Sequence, residues 1–225
     1  MVSKALMGCW AFVDVFLLAA GVLSLVMSLV WREPNLLLNF TLSNTDLTAG
    51  TILGIFLLVT FVISIIAIVQ RNHITIGLVL LNWTLFLDFI VIMVVGTYIW
   101  FFTLQERNNY FERFKATTPD IRVQLQDHFK CCGYFLPNDT VEFTGFCSSQ
   151  SFVNSMFNAS NLDQFRCVGP ITGFADMTLN NIFSTVYGFM AIIILLFLAS
   201  VCVINKRLEA ERFKRIDSKR GKSFV

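Results

Sequence analysis

The cysteines are the residues whose spacing most clearly indicates chemistry. Cys131 and Cys132 are adjacent and precede Gly133, in a polar segment that lies between two long apolar runs. Adjacent cysteines do not easily bond to each other, because a disulfide needs Cα atoms several ångströms apart and converging Cβ atoms. Each should therefore pair with a distant cysteine, and the candidates are Cys147 and Cys167. The pattern predicts two disulfides, either 131–167 with 132–147 or 131–147 with 132–167.

A metal site is the competing interpretation of these four cysteines. Adjacent cysteines are not the usual spaced chelating pair, and no histidine lies among the four. Neither His73 nor His128 lies beside a plausible nucleophile and acid, and the sequence has no glycine-rich phosphate loop. We therefore expect no metal, no cofactor, no catalytic residues and no enzymatic activity.

The composition is that of an integral membrane protein. Of the 225 residues 56% are hydrophobic and only 14% are charged, and the mean hydropathy is +0.68. Soluble domains carry roughly 25% charged residues. Four runs reach the ~20 apolar residues that a helix needs to cross a bilayer. The prediction is an all-α membrane protein. It is a bundle of four transmembrane helices at 12–30, 50–69, 74–102 and 182–204, with a mostly helical large outer loop that disulfides stabilise.

The third apolar run continues to Leu104, which is longer than a bilayer requires, so its helix is expected to continue through 105–115. The first run is too long for the apolar region of a signal peptide. We therefore expect it to remain as a span rather than to be cleaved.

The distribution of lysine and arginine predicts the orientation. Ten of these bases lie on the side of the two termini, and seven are spread over the longer loops of the other side. By the positive-inside rule the termini are cytoplasmic. The cytoplasmic segments are 1–11, 70–73 and 205–225, and the outer segments are a small loop at 31–49 and a large loop at 103–181. The large loop then lies in an oxidising compartment, where disulfides persist.

Three N-glycosylation motifs fall on the predicted outer side. They begin at Asn39, Asn138 and Asn158, although the expected nearness of Asn39 to the membrane disfavours its use. A fourth motif begins at Asn82, inside the third span, and is attributed to chance.

The large loop shows one clear helix signal. Thr118, Pro119 and Asp120 have the types expected at an N-cap, a first helical position and a first turn. Apolar residues then recur every four positions, at Ile121, Leu125 and Phe129. We predict an amphipathic helix that ends at the cysteines, with Gly133 as its left-handed C-cap.

The following segment, 134–166, has no helical period and is predicted to be a variable lobe that disulfides hold in place. Its aromatic residues either form a small core or present a partner-binding surface, and both interpretations stay open. They are Phe135, Phe143, Phe146, Phe152, Phe157 and Phe165.

Polar residues within the spans have two interpretations. Asp14 and Asp88 could line an ion path or contact lipid headgroups, or they could be structural groups that hold helices together, with Asn82 near Asp88 in sequence. The structural interpretation is favoured. Small residues in the first two spans are interpreted as packing of these helices on each other. They are Ala20, Ser24, Ser28, Gly50 and Gly54.

Two further features belong to the cytoplasmic side. Cys9 and Cys202 lie at span ends, where S-palmitoylation occurs. The tail after Asn205 carries eight bases against three acids and is expected near anionic lipid headgroups.

The whole chain resembles a tetraspanin. The resemblance is carried by the four spans, the small first and large second outer loops, and Cys131-Cys132-Gly133 in the large loop. Asp14 stands seven positions before Gly21 where tetraspanins typically have asparagine, and the fourth span lacks the usual polar residue. The family's motif before the third loop cysteine is also missing here. In four-cysteine tetraspanins the first loop cysteine pairs with the fourth, which implies Cys131–Cys167 and Cys132–Cys147.

The resemblance implies a membrane scaffold that organises partner proteins laterally, in the plasma membrane or in endosomal or vacuolar membranes. Membrane proteins in cis, lipids such as a sterol, and homo-oligomers are the implied partners; nucleic acid is not. It also supports glycosylation of the outer loops and palmitoylation of Cys9 and Cys202. Short length and four loop cysteines are most similar to the tetraspanins of filamentous fungi, which are required for appressoria to penetrate host tissue.

Two other classes of membrane protein are alternatives to the scaffold. The first is a small transporter or channel that uses Asp14 and Asp88. The second is a claudin-like barrier protein, which is disfavoured because its larger outer loop would fall between the first two spans.

Overall fold

The computed structural model describes residues 4–69, 76–136, 139–157 and 165–221. Within these residues the regular structure is entirely helical, which confirms the predicted all-α class. The helices, in chain order, are α1 (Lys4–Val30), α2 (Leu36–Thr41), α3 (Asn44–Val69), α4 (Ile76–Leu104), α5 (Glu106–Ala116), α6 (Pro119–Phe129), α7 (Gln150–Phe157) and α8 (Val168–Gly221).

Four of these helices, α1, α3, α4 and α8, are long and apolar enough to cross a membrane. Many of their apolar side chains are exposed, and lipid would cover such a surface as readily as a protein core would. The prediction of four candidate spans is therefore confirmed. The predicted loop at 70–73 lies outside the described residues.

The chain forms two compact units. The span unit consists of Met1–Leu29, Thr48–Val95 and Thr185–Val225, and the loop unit consists of Val30–Leu47 and Gly96–Ser184.

Within the span unit, α1 and α3 pack closely at small residues. A Cβ atom added to Gly54 would lie 2.9 Å from the backbone nitrogen of Leu25, and the Ser24 hydroxyl donates to the Gly50 carbonyl at 3.0 Å. Such contacts let the two backbones approach each other. The small residues therefore let the first span pack on the second within one molecule, as the sequence predicted.

Buried polar side chains connect the helices of the span unit in pairs. Thr60 of α3 donates to Asp88 of α4 at 2.6 Å, and Trp10 of α1 donates to Ser64 of α3 at 3.2 Å. Ser200 of α8 donates to Asn82 of α4. Asp88 is thus bonded to a threonine, whereas the amide of Asn82, six residues away in sequence, bonds a different helix.

In the loop unit, helix starts follow short polar signals. Asn35 caps α2 through its side-chain oxygen, which accepts from the backbone of Leu37 at 3.2 Å. Ser43 and Asp46 bond each other's backbone nitrogens, a capping box that starts α3 before the apolar run that predicted it. The second span's helix therefore begins at Asn44, whereas the apolar run indicated residue 50.

The helix of the third span does not continue unbroken into the loop, so that prediction was wrong. It ends at Leu104, and α5 begins after a non-helical Gln105 (ψ 24°). The Phe102 carbonyl accepts from the Gln105 nitrogen at 3.3 Å and from the Asn109 side-chain amide at 3.2 Å. A side-chain donor thus competes with the regular helical bond and ends the helix.

Segment 134–166, whose sequence shows no helical period, contains α7, which is only 8 residues long. Two other expectations need correction. The fourth span's helix is much longer than 182–204, because it includes both the end of the large loop and most of the tail. The C-cap of α6 is Lys130, with φ 52°, and not Gly133.

Candidate functional site

The junction of the large loop holds both disulfides. Cys131 pairs with Cys167 across a Cα–Cα distance of 5.0 Å, and Cys132 pairs with Cys147 across 5.8 Å. Both distances are ordinary for disulfides. All four cysteines are fully buried. The structure thus has, of the two pairings that the residues left open, the one that the tetraspanin resemblance implied.

The two disulfides belong to two different hydrophobic cores. Cys131 and Cys167 lie in a larger core of the loop unit, which includes Tyr110, Phe114 and Leu125. Cys132 and Cys147 lie in a smaller core with the buried Val153, and its partly buried members are Val141, Phe146 and Met156. Adjacent cysteines therefore join a helical core to the neighbouring lobe.

The backbone around the cysteines turns sharply. Lys130 and Gly133 both have positive φ, 52° and 69°. A Cβ atom at residue 133 would collide with the carbonyl oxygen of Leu136, so only glycine fits there. The Gly133 carbonyl then accepts from the Cys167 nitrogen at 2.9 Å. Gly133 is thus required for the turn after the cysteines rather than for the helix end.

A second glycine positions the lobe against α6. Gly145 has φ 62°, and a Cβ atom there would overlap the carboxylate of Asp127. That carboxylate accepts from the Phe146 nitrogen at 2.6 Å. Gly145 and Phe146, just before Cys147, therefore contact α6 through Asp127.

Arg122 makes the principal charged contact of the lobe. Its guanidinium donates to Glu142 through Nε at 2.9 Å, and also to the carbonyls of Thr117 and Lys115 at 2.6 and 3.2 Å. The side chains of this ion pair are only 14% and 28% exposed. One arginine thus fixes the connection from α5 to α6 and ties it to the lobe.

Two buried tyrosines, which sequence analysis did not single out, anchor α5. Tyr110 donates to the Thr41 carbonyl at 3.1 Å, and Tyr134 donates to the Arg107 carbonyl at 3.0 Å. Burial raises the pKa of both phenols, so they remain neutral donors. Arg113 adds a bond of 2.7 Å to the same Thr41 carbonyl. The start of the large loop is therefore tied to the small loop.

The described part of the lobe has few exposed apolar side chains. Phe143 is 47% exposed and Leu136 is 57% exposed. Most of the other aromatic residues named from the sequence are partly buried, namely Phe135, Phe146, Phe152 and Phe165. Phe135 packs against the larger core, whereas Phe146 packs against the smaller core and contacts Phe152. We call the two exposed side chains, Phe143 and Leu136, the lobe face.

Only some of the modification sites predicted from the sequence lie among the described residues. Asn39 lies on α2 and is exposed, whereas Asn138 and Asn158 lie outside the described residues. Cys9 and Cys202 are exposed free cysteines. Their glycosylation and palmitoylation stay predictions.

The other candidate residues do not come together in the described part of the chain. No group of three or more histidine, cysteine or acidic residues there is placed to hold a metal ion. His128 is exposed and stacks edge-on against Phe129, with ring centres 5.0 Å apart; His73 lies outside the described residues.

Comparison with known proteins yields no relative. No family model matches the chain, no curated protein matches it, and no solved structure matches its fold.

Proposed function

We propose that this protein is a tetraspanin-like scaffold, which gathers partner proteins laterally in a membrane through its large loop. The observation that carries the proposal is the double-disulfide junction. Cys131–Cys167 belongs to the larger core and Cys132–Cys147 to the lobe core, so the junction presents the lobe in a fixed conformation. A rigid surface loses little conformational entropy when a partner binds.

The lobe face supports this proposal. Leu136 and Phe143 remain exposed although they lie near a junction that is fully buried. Aromatic and aliphatic side chains on a polar, rigid background are typical anchors of protein interfaces. The partner we propose is another membrane protein, with the large loop on the outer side of the membrane as the lysine and arginine distribution predicts.

Two narrower parts of the proposal concern the place of action and lipidation. Action in the appressorium of a filamentous fungus is supported by the resemblance alone. Palmitoylation of Cys9 and Cys202 is supported by their exposure as free thiols at the ends of spans.

The buried acid of the third candidate span supports the scaffold more than the transporter. Asp88 is bonded to Thr60, and the neighbouring polar groups also bond between helices. An interhelical hydrogen bond of this kind contributes about 0.6 kcal/mol to association in a membrane. Asp88 and Asn82 thus connect helices of the span unit, which supports the structural interpretation for Asp88, whereas one Asp14 oxygen is buried with no hydrogen-bond partner in the described part of the chain.

The proposal can be tested by cross-linking in native membranes. The full chain is expressed with a purification tag, cross-linked, and extracted in mild or in harsh detergent, and its neighbours are identified by mass spectrometry. We expect a reproducible set of membrane proteins in mild detergent that is lost in harsh detergent. The double substitution Leu136→Ser/Phe143→Ser should reduce these neighbours severalfold, because it removes the two apolar anchors.

The matched control is Ile121→Ser/Met177→Ser, which removes two other exposed apolar side chains of the loop unit. It should leave the neighbours unchanged. If wild type brings no reproducible neighbours, and liposomes that contain it show an ion flux that Asp88→Asn abolishes, the transporter is correct instead.

A further inference from the structure

A cleft opens in the loop unit where the end of α4 meets the first turns of α8. It has a volume of about 120 Å³ and is lined by Trp100, Thr103, Asp176, Leu179, Asn180 and Phe183. A cleft of this volume has room for several water molecules. A small group such as trimethylammonium would fit in it.

The charge of the cleft is negative. None of the six lining residues is a base, and Asp176 makes no ion pair among the described residues. Glu106, at the start of α5, adds a second carboxylate that interacts electrostatically with Asp176. One Glu106 oxygen is buried and has no hydrogen-bond partner in the described part of the chain. The cleft therefore favours a cation.

The polar groups of the cleft also suit a cationic ligand. Thr103 donates its hydroxyl proton to the Trp100 carbonyl at 2.7 Å, so its oxygen is left only as an acceptor. Asn180 is exposed, and its amide can donate to an anionic group that is attached to the cation. The remaining lining residues are two aromatic ones, Trp100 and Phe183, and Leu179.

Aromatic walls with a carboxylate distinguish a quaternary ammonium from an ordinary amine. Tryptophan is the best cation–π partner, and aromatic cages are the usual recognition device for choline-type groups. A trimethylammonium group has no N–H donor, so it does not need the hydrogen-bond acceptors that a lysine-like ammonium would require. Aromatic residues beside a carboxylate therefore suit a quaternary ammonium group.

The position of the cleft suits a lipid. Trp100 lies four residues before the end of a helix that is long enough to span a membrane. Tryptophan at such a position sits at the level of the lipid headgroups. A choline headgroup carries both the quaternary ammonium and the phosphate that Asn180 could bond.

From this geometry we propose that the cleft binds a quaternary ammonium group, with Trp100 and Phe183 against the cation and Asp176 as its counter-charge. The headgroup of a choline phospholipid or a free choline compound could supply it. This site goes beyond the proposed scaffold function, because it concerns a ligand and not a partner protein.

The test uses the full chain in lipid nanodiscs, made from equal parts of phosphatidylcholine, phosphatidylethanolamine and phosphatidylglycerol with identical acyl chains. After extraction in mild detergent, the retained lipids are measured by mass spectrometry. We expect phosphatidylcholine to be enriched about tenfold over phosphatidylethanolamine, as one well-placed cation–π contact with a counter-charge allows. Asp176→Asn and Trp100→Leu should each abolish most of the enrichment, and Trp100→Phe should retain part of it.

Matched controls use the same residue types elsewhere. Trp83→Leu removes another exposed tryptophan of α4, and Glu112→Gln removes another exposed acid of the loop unit. Both should keep the enrichment, and all variants should unfold at the wild-type temperature. Equal retention of the three lipids, or equal loss in Trp83→Leu and Trp100→Leu, would contradict a lipid site.

A second arm separates the two sources by titrating the lipid-depleted protein calorimetrically with phosphocholine. Enrichment of the lipid without binding of phosphocholine assigns the ligand to the membrane. Binding of phosphocholine that Asp176→Asn weakens about tenfold, without lipid enrichment, assigns it to a soluble compound. If the lipid is not enriched and phosphocholine does not bind, the proposal is overturned.

Discussion

The pKa of the Glu106 carboxyl depends on groups that are distant in the sequence. It is the first residue of α5, where a negative charge is normally favourable because of the helix dipole. Burial nevertheless raises the pKa of its carboxyl, the nearby charge of Asp176 raises it further, and Arg107 compensates only in part. The sequence shows an acid at a helix start, but the opposing acid comes from α8, 70 positions later in the chain, and no local pattern indicates it.

Replacing Glu106 with glutamine should change how stability depends on pH. Because the folded pKa is raised above the unfolded value, the folded state binds more protons than the unfolded state between the two values. The contribution of the Glu106 carboxyl to folding stability is therefore present at low pH and is lost as the pH rises through the folded pKa. We expect Glu106→Gln to unfold at a higher temperature than wild type at neutral pH, and the difference should shrink as the pH is lowered.

The control for this measurement is Glu112→Gln, an acid whose side chain is 71% exposed on the same helix. Thermal unfolding of the three proteins is followed in detergent over a range of pH. The assignment fails if Glu106→Gln is less stable than wild type at neutral pH, or if Glu112→Gln shows the same pH-dependent gain.

At the scale of helices, the sequence predicted which helices exist more accurately than it predicted the residues at which they end. The spans were found because some twenty apolar residues in a row are a local property. The break at Gln105 was missed because it depends on the Asn109 side chain, which bonds a carbonyl seven residues earlier. The end of α6 was placed too late because Lys130 takes a left-handed conformation, which is uncommon for a residue with a side chain.

Close packing of α1 on α3 gives the prediction at this scale. Gly54→Leu should lower the thermal stability of the protein, because a side chain there must displace the backbone of Leu25. Overpacking of this kind typically costs 1–3 kcal/mol, roughly. Gly188→Leu, also within a span helix, is the control, since a Cβ atom there has no neighbour within 4 Å. Similar melting temperatures for wild type and Gly54→Leu would show that this contact does not hold the two helices together.

At the scale of the whole molecule, the sequence predicted the span unit in more detail than the loop unit. Hydropathy suffices for the spans, whereas the lobe depends on distant contacts such as Asp127 with the Phe146 nitrogen. From the residues alone both disulfide pairings stayed open, because spacing does not decide which cysteines meet. The two cores of the loop unit resolve that choice, and they also predict that the two disulfides differ in importance.

Removing each disulfide separately should therefore have different effects. In the chain-entropy model the 15-residue separation of Cys132–Cys147 corresponds to roughly 3 kcal/mol and the 36-residue separation of Cys131–Cys167 to roughly 4 kcal/mol. Cys132–Cys147 lies in the small lobe core, whereas Cys131–Cys167 lies in the larger core with Tyr110. We expect Cys132→Ser/Cys147→Ser to speed amide hydrogen exchange mainly within 135–157. Cys131→Ser/Cys167→Ser should also speed it in α5 and α6 and lower the melting temperature further. Uniform and equal changes in both variants would mean that the cores are not independent, and the adjacent cysteines would then clamp one core rather than join two.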